Sequence, residues 1–240
     1  SDAVLQHAVR IKKLLTEERA SGATNGRRVD LDVEKELQRE MLDLVSNLRT
    51  VDIQSQREVT NAVEGAVDQL IKEATMAPTP PLLWSQTLQS SFVSLICCYL
   101  CELNAGNLFV VFNDLIEGFN SRAAAYGARV AFASAIGEFI LRRGGRLGSC
   151  VSDAVSACLK NAKATEACLR QAALTTLRKI LLGCDGALDS SDLVTEIVKT
   201  LSRAQQDKHD SVRSLAAAVI SAVPFGVIDH ASVAPLSLLE

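Results

Sequence analysis

Arg142, Arg143 and Arg146 surround Gly144 and Gly145 in the stretch "LRRGGRLGS" (141–149), just ahead of an expected helix start. Glycine-rich basic loops at helix N-termini hold phosphate through backbone amides and cationic side chains. These three arginines are therefore candidate contacts for an anion or a partner. A P-loop, however, follows a strand and closes on Gly-Lys-Ser/Thr; here a helical pattern precedes, and Gly148-Ser149-Cys150 follows. The stretch reads first as an inter-helix turn. Gly144 or Gly145 supplies a left-handed helix stop, the arginines suit the preceding C-terminus, and Ser149 or Ser152 caps the next helix.

Cys98-Tyr99-Leu100-Cys101 is a C-x-x-C pair, the spacing of redox dithiols and of half a zinc site. A zinc site needs two further ligands, and no second close Cys/His pair is evident, so the pair is expected to pack in an apolar helix. The same holds for the other cysteines (97, 150, 158, 168 and 184); an odd total of seven fits reduced thiols in an intracellular protein. His7, His209 and His230 share no motif, and carboxylates such as Glu34, Glu36 and Glu40 are expected on polar helix faces. "GCDGALDSSD" (183–192) lacks the ligand spacing of a calcium loop and reads as a helix stop at Gly183 followed by a cap near Ser190–Asp192. No metal, cofactor or catalytic set is expected.

The elements that position these residues are helical throughout. Of 240 residues, 48% are apolar but only 4% aromatic, a balance that favours closely packed helices. A net charge of −3 gives no composition-level signal for nucleic acid. The longest apolar run, 92–101, is too short to span a bilayer. Leu37, Met41, Leu44, Val45 and Leu48 recur at helical spacing, as do Val59, Val63, Val67, Leu70 and Ile71. A polar loop at 21–30 is expected to be mobile, and "ATMAPTPP" (74–81) ends the third helix because proline withdraws an amide donor. The expected organisation is N-terminal helices over 1–77, as a long hairpin or a first solenoid layer, then a repeat segment over 78–240. Helices are expected near 82–103, 107–119, 121–143, 148–162, 165–182, 190–205 and 209–222.

Three of these helices are alike. "ARVAFASAI" (128–136), "LRQAALTTL" (169–177) and "VRSLAAAVI" (212–220) align on Arg129, Arg170 and Arg213, which stand 41 and 43 residues apart. That period, with two helices per unit, points to a HEAT or armadillo-type solenoid. In "DSVRSLAAAV" (210–219), Asp210 is expected to cap the helix, while Val212 and the alanines face a neighbouring helix. The expected fold is all-α: a HEAT-repeat α-solenoid of stacked antiparallel helix pairs.

The segment from "PTPP" (78–81) to "DSVRSLAAAV" resembles the N-terminal region of the HEAT-repeat-containing protein 5 family, which includes the large clathrin-adaptor accessory protein. The likeness rests on "FVVFNDLIEGFN" (109–120), "AAAYGARVAFASAIGEFILRRGGRLGS" (123–149) and "LRQAALTTLRKILLGCDGALDSSD" (169–192). It spans about 140 of 240 residues, while residues 1–75 match only in being helical. The resemblance implies a very large cytosolic solenoid that associates with the γ-adaptin-type clathrin adaptor complex and its accessory proteins. It implies traffic between trans-Golgi network and endosomes, with peripheral or indirect membrane association. It also implies that the chain is a fragment of something longer, with which an open solenoid end after Val223 would agree.

The expected function is a non-enzymatic scaffold acting through helix faces and ridges. Two alternatives stay open. One is a general HEAT adaptor in nuclear transport or kinase and phosphatase regulation, since fold alone does not choose. The other is a phosphoinositide-binding surface centred on Arg142, Arg143 and Arg146.

Overall fold

Each helix in this chain carries an apolar stripe that must be covered by its neighbours. The computed structural model describes residues 2–22, 31–50, 57–76, 82–102, 107–147, 149–184, 188 and 191–222. These form ten α-helices and one 3-10 turn, with no strand among the described residues. The polar loop at 23–30, the proline-rich 77–81, most of 185–190, and His230 lie outside them. Among the described residues no helix is long and apolar enough to cross a membrane.

The chain divides into two compact units, Ser1–Ala135 and Ile136–Glu240. In the first unit lie α1 (Asp2–Gly22), α2 (Leu31–Leu48), α3 (Arg57–Thr75), α4 (Gln86–Glu102), α5 (Leu108–Asn120) and the first half of α6 (Tyr126–Arg143). Here α1 packs on both α2 and α3, α2 packs on α4, and α3 packs on α5. Val4, Ala8, Ile11 and Leu15 of α1 meet this core, as do Leu37, Met41 and Leu44 of α2. The helix α4 is buried on every side from Leu95 to Leu100. Helix contacts therefore run across 77–81, so the expected boundary after residue 77 falls inside one compact unit.

Two helix starts lie later than the residue types imply. α4 begins at Gln86 because Trp84 adopts a left-handed backbone, φ 51°, just before it. Such a conformation costs a bulky residue on the order of 1–3 kcal/mol. Glu34 holds it by accepting hydrogen bonds from the flanking Leu83 and Ser85 amides, at 3.0 and 2.9 Å. The buried Trp84 ring packs edge-on against Phe92, with centroids 5.5 Å apart. α6 begins at Tyr126 because the Ser121 hydroxyl accepts from the Ala123 and Ala124 amides, which turns the chain before the helix.

The second unit holds the rest of α6, the 3-10 turn Gly144–Leu147, α7 (Ser149–Asn161), α8 (Ala167–Gly183), α9 (Ser191–Ala204) and α10 (Asp210–Ile220). α8 packs on α7 and α10, and α9 packs on α10 and α7. In the second unit each of α7 to α10 thus touches both a sequence neighbour and the helix two places along, while in the first unit the main contacts, apart from α1 with α2, join helices two places apart. α6 and α8 approach closely through glycine. A methyl group on Gly183 would lie 2.7 Å from the Ile140 carbonyl oxygen and 2.8 Å from Leu141 Cα. Gly137 faces Thr176 and Lys179 across the same contact, and Lys179 Nζ reaches Glu138 Oε1 at 2.5 Å.

Gly183→Ala should therefore lower stability by about 2 kcal/mol, because both nearest atoms belong to backbone that cannot rotate away. Gly137→Ala, whose nearest contacts are 3.2 and 3.3 Å, should cost less. Urea unfolding midpoints of the two variants check this order; equal midpoints would contradict the close helix approach.

Candidate functional site

The arginine-rich stretch is a helix end and a turn. α6 stops at Arg143, and Gly144 takes the left-handed backbone expected of a helix stop, φ 67°. The 3-10 turn Gly144–Leu147 follows, and α7 starts at Ser149. Ser152 is exposed within α7 and is not its cap. Arg142 is exposed and Arg143 half-buried, both in the last turn of α6, where cations meet the negative helix end. Arg143 is already engaged with a neighbour. The side chains of Arg146 and Ser149 lie outside the described residues.

The three repeat markers hold a shared position. Arg129 in α6 is buried and donates from Nε to the Phe119 carbonyl at the end of α5, at 3.0 Å. Arg170 in α8 donates to the Ala164 and Thr165 carbonyls in the connection before its own helix, at 2.9 and 2.7 Å. Arg213 in α10 donates to the Asp207 carbonyl in the corresponding connection, at 2.6 Å. In each case a guanidinium on the second helix of a pair satisfies carbonyls where the chain reverses. Val212, beside Arg213, is fully buried as its spacing implies.

Asp210 does not cap α10. His209 occupies the cap position and makes no side-chain cap bond, while the exposed Asp210 carboxylate pairs with Arg213 one turn later. A carboxylate in the first helical turn gains from the helix dipole without reaching the amides behind it. The acceptor in this connection is Asp207, which takes the His209 amide at 2.9 Å. Its carboxylate is also gripped by Arg170 of α8, Nε at 2.7 Å and the second guanidinium nitrogen at 2.9 Å. That paired Arg170 bond holds the Asp207 pKa below its usual value despite partial burial.

Two carboxylates expected on polar faces are instead buried. Glu34 braces Trp84, as described above. Glu40, 1% exposed, accepts from His7 Nδ1 at 2.7 Å and lies 3.2 Å from Arg10, both on α1, with Arg39 at 3.4 Å. Burial alone would raise its pKa, but the His7 bond and the two arginines outweigh burial and hold it below the ordinary value. The signal was present in the sequence: positions 34, 37, 40/41 and 44 share one helix face, so both glutamates sit in the stripe of Leu37, Met41 and Leu44.

Cys97, Cys98, Cys150, Cys158 and Cys184 are buried and Cys101 half-buried, as expected, but Cys168, expected to pack in a core, is exposed near the start of α8. Burial pushes the Cys158 thiol pKa well up, which disfavours the reactive thiolate.

A different feature escaped the sequence pattern. A cavity of about 340 Å³ opens between α3 and α5, lined by Asp68, Ile71, Lys72, Thr75, Met76, Asp114 and Glu117. Burial raises the Asp68 pKa against the pull of Lys12. Burial, Glu117 and Asp68 together raise that of Asp114. In the same unit the Tyr99 hydroxyl donates to Asn107 at 2.7 Å, and Asn107 donates to Glu64 at 2.8 Å, linking α4, the start of α5 and α3. Burial and Glu64 push the Tyr99 pKa up to about 12, so the phenol stays a donor.

No protein family model matches the chain, and no solved structure matches it at a significant level.

The acid response follows from Glu40 and Asp207. Each has a folded pKa below its ordinary value, so its stabilisation is present at neutral pH and is lost as pH falls through the lowered value. Glu40→Gln and Asp207→Asn should each cost about 1–3 kcal/mol at pH 7. Each should also shallow the loss of stability below about pH 4. Urea titrations from neutral to acid pH check both; an acid limb as steep as in the unaltered chain would contradict the role of these carboxylates.

Proposed function

We propose that this chain is part of a HEAT-repeat α-solenoid that serves as a non-enzymatic scaffold in clathrin-adaptor-linked traffic between trans-Golgi network and endosomes. The observation that carries the repeat is the common placement of Arg129, Arg170 and Arg213, each bonded to carbonyls where its helix pair reverses. Support comes also from the packing within each unit, where helices contact those two places along, and in the second unit their sequence neighbours as well. Stacked pairs of this kind expose long ridges suited to binding other proteins.

The cellular role rests on the sequence resemblance of 78–219 to the HEAT-repeat-containing protein 5 family. On that likeness the partners are the γ-adaptin-type clathrin adaptor complex and its accessory proteins. The chain acts in the cytoplasm, held peripherally at trans-Golgi and endosomal membranes by its partners, and no nucleic acid or cofactor takes part.

Affinity purification of the tagged full-length protein from cells tests this function. Adaptor subunits or their accessory proteins should be enriched at least tenfold over an untagged control. Recovery instead of nuclear-transport factors, kinases or phosphatases, with no adaptor component, would overturn the trafficking assignment.

A further inference from the structure

The cavity between α3 and α5 combines an apolar floor with an excess of negative charge. Ile71 is buried at its base, and Met76 is partly exposed at the end of α3. Asp68, Asp114 and Glu117 supply three carboxylates, against the single ammonium of Lys72. Lys12 of α1 acts on Asp68, but the charged groups acting on half-buried Asp114 are Glu117 and Asp68, both negative. The lining is thus net negative, three carboxylates against the one ammonium of Lys72, and the carboxylates beside Asp114 disfavour its charge, an arrangement that costs stability. Protein surfaces that keep such a cost are commonly those that meet a partner.

The surroundings extend this face in one direction. Val110 precedes Asp114 by one helical turn on the same side of α5 and is 60% exposed. Phe109 beside it is 59% exposed. Acidic positions therefore continue into uncovered apolar ones along α5. A ligand matching both must place a cation between the two helices and apolar groups over the start of α5.

We propose that the α3–α5 groove docks a basic amphipathic helical segment of a partner protein. A lysine or arginine of that segment enters between Asp68 and Asp114, its methylene stem lying over Ile71 and Met76. Its charged head adds the positive charge that the net-negative lining favours, with Glu117 at the outer edge. Apolar residues one or two turns along the same segment cover Val110 and Phe109, as in other helix-in-groove complexes. Negatively charged lipid surfaces are disfavoured here by the sign of the groove. The proposal rests on the scaffold function for its premise that helix faces of this chain bind other proteins, and it adds which face and what chemistry.

A fluorescently labelled 18-residue peptide tests it, with leucines at helical spacing on one face and arginines on its flanks. A second peptide carries glutamates in place of the arginines. Anisotropy titration should show the arginine peptide binding the 240-residue chain and weakening with salt, with the glutamate peptide silent. Asp114→Lys should weaken the arginine peptide at least tenfold and allow the glutamate peptide to bind. Asp114→Asn should weaken the arginine peptide while its thermal midpoint stays equal to or above that of the unaltered chain, which separates lost binding from lost folding. Absence of arginine-peptide binding, or binding unchanged by both Asp114 variants, would overturn the proposal. That result would leave the adaptor co-purification unaffected, and failure of the co-purification would leave the peptide titration readable.

Discussion

The helices here must bury apolar faces, all round in α4 from Leu95 to Leu100, and few large side chains are available to fill the gaps. That constraint shapes both units. Where aromatic residues are scarce, helices approach until backbone meets backbone, and glycine or alanine then becomes the only residue that fits. Gly183 against Ile140 and Leu141 is the clearest case. Gly118 differs, making room for a ring: a methyl group there would lie 2.6 Å from the Phe132 side chain. The few large rings are concentrated instead, with Trp84, Phe92 and Phe132 stacked edge to face in the first unit.

Close apolar packing alone specifies position poorly, because similar stripes fit in several registers. Buried charge supplies the missing specificity. Glu40 takes His7 and Arg10 from α1 and so fixes how α1 lies on α2. Glu34 fixes the corner at Trp84 through two backbone amides. Arg170 joins the connection before its own helix to Asp207 in the next helix pair, and Arg213 returns to that same residue's carbonyl. Glu34, Glu40 and Arg170 are each costly to bury unless the partner is in place, so a slipped register is penalised twice, in lost bonds and in an unpaired charge. The α3–α5 cavity is the contrasting case, where three carboxylates outnumber the one lysine of the lining and the Asp114 pKa is raised by burial and by its negative neighbours.

The helices were legible in the sequence because their stripes repeat and because glycine, proline and capping residues punctuate them. From α5 onward the observed limits fall within a few residues of those expected, apart from the later start of α6 at Tyr126. The common arginine was legible as a spacing, but its function was not. Reading Asp210 as the cap followed from its position before Val212; the acceptor used is Asp207, three residues earlier, where the chain can fold back toward Arg170. Glu34 and Glu40 were misplaced because an isolated carboxylate normally faces water, although their place in the Leu37–Met41–Leu44 stripe marked them as buried. Gly183 ends α8 as expected, yet its lack of a side chain serves the approach of α6 and not a left-handed turn. The cavity was not legible at all, since Asp68 and Asp114 lie on helices whose packing no local pattern defines.

If paired helices are locked in register by these loop-directed arginines, the lock should be measurable as a coupling between Arg170 and Asp207. A double-mutant cycle with Arg170→Ala, Asp207→Ala and the double variant, read by urea unfolding at pH 7, isolates it. The account predicts a coupling of about 2 kcal/mol, the two single losses summing to more than the double. Losses that add to within about 0.5 kcal/mol would show that the bond between Arg170 and Asp207 does not hold the helix pairs together.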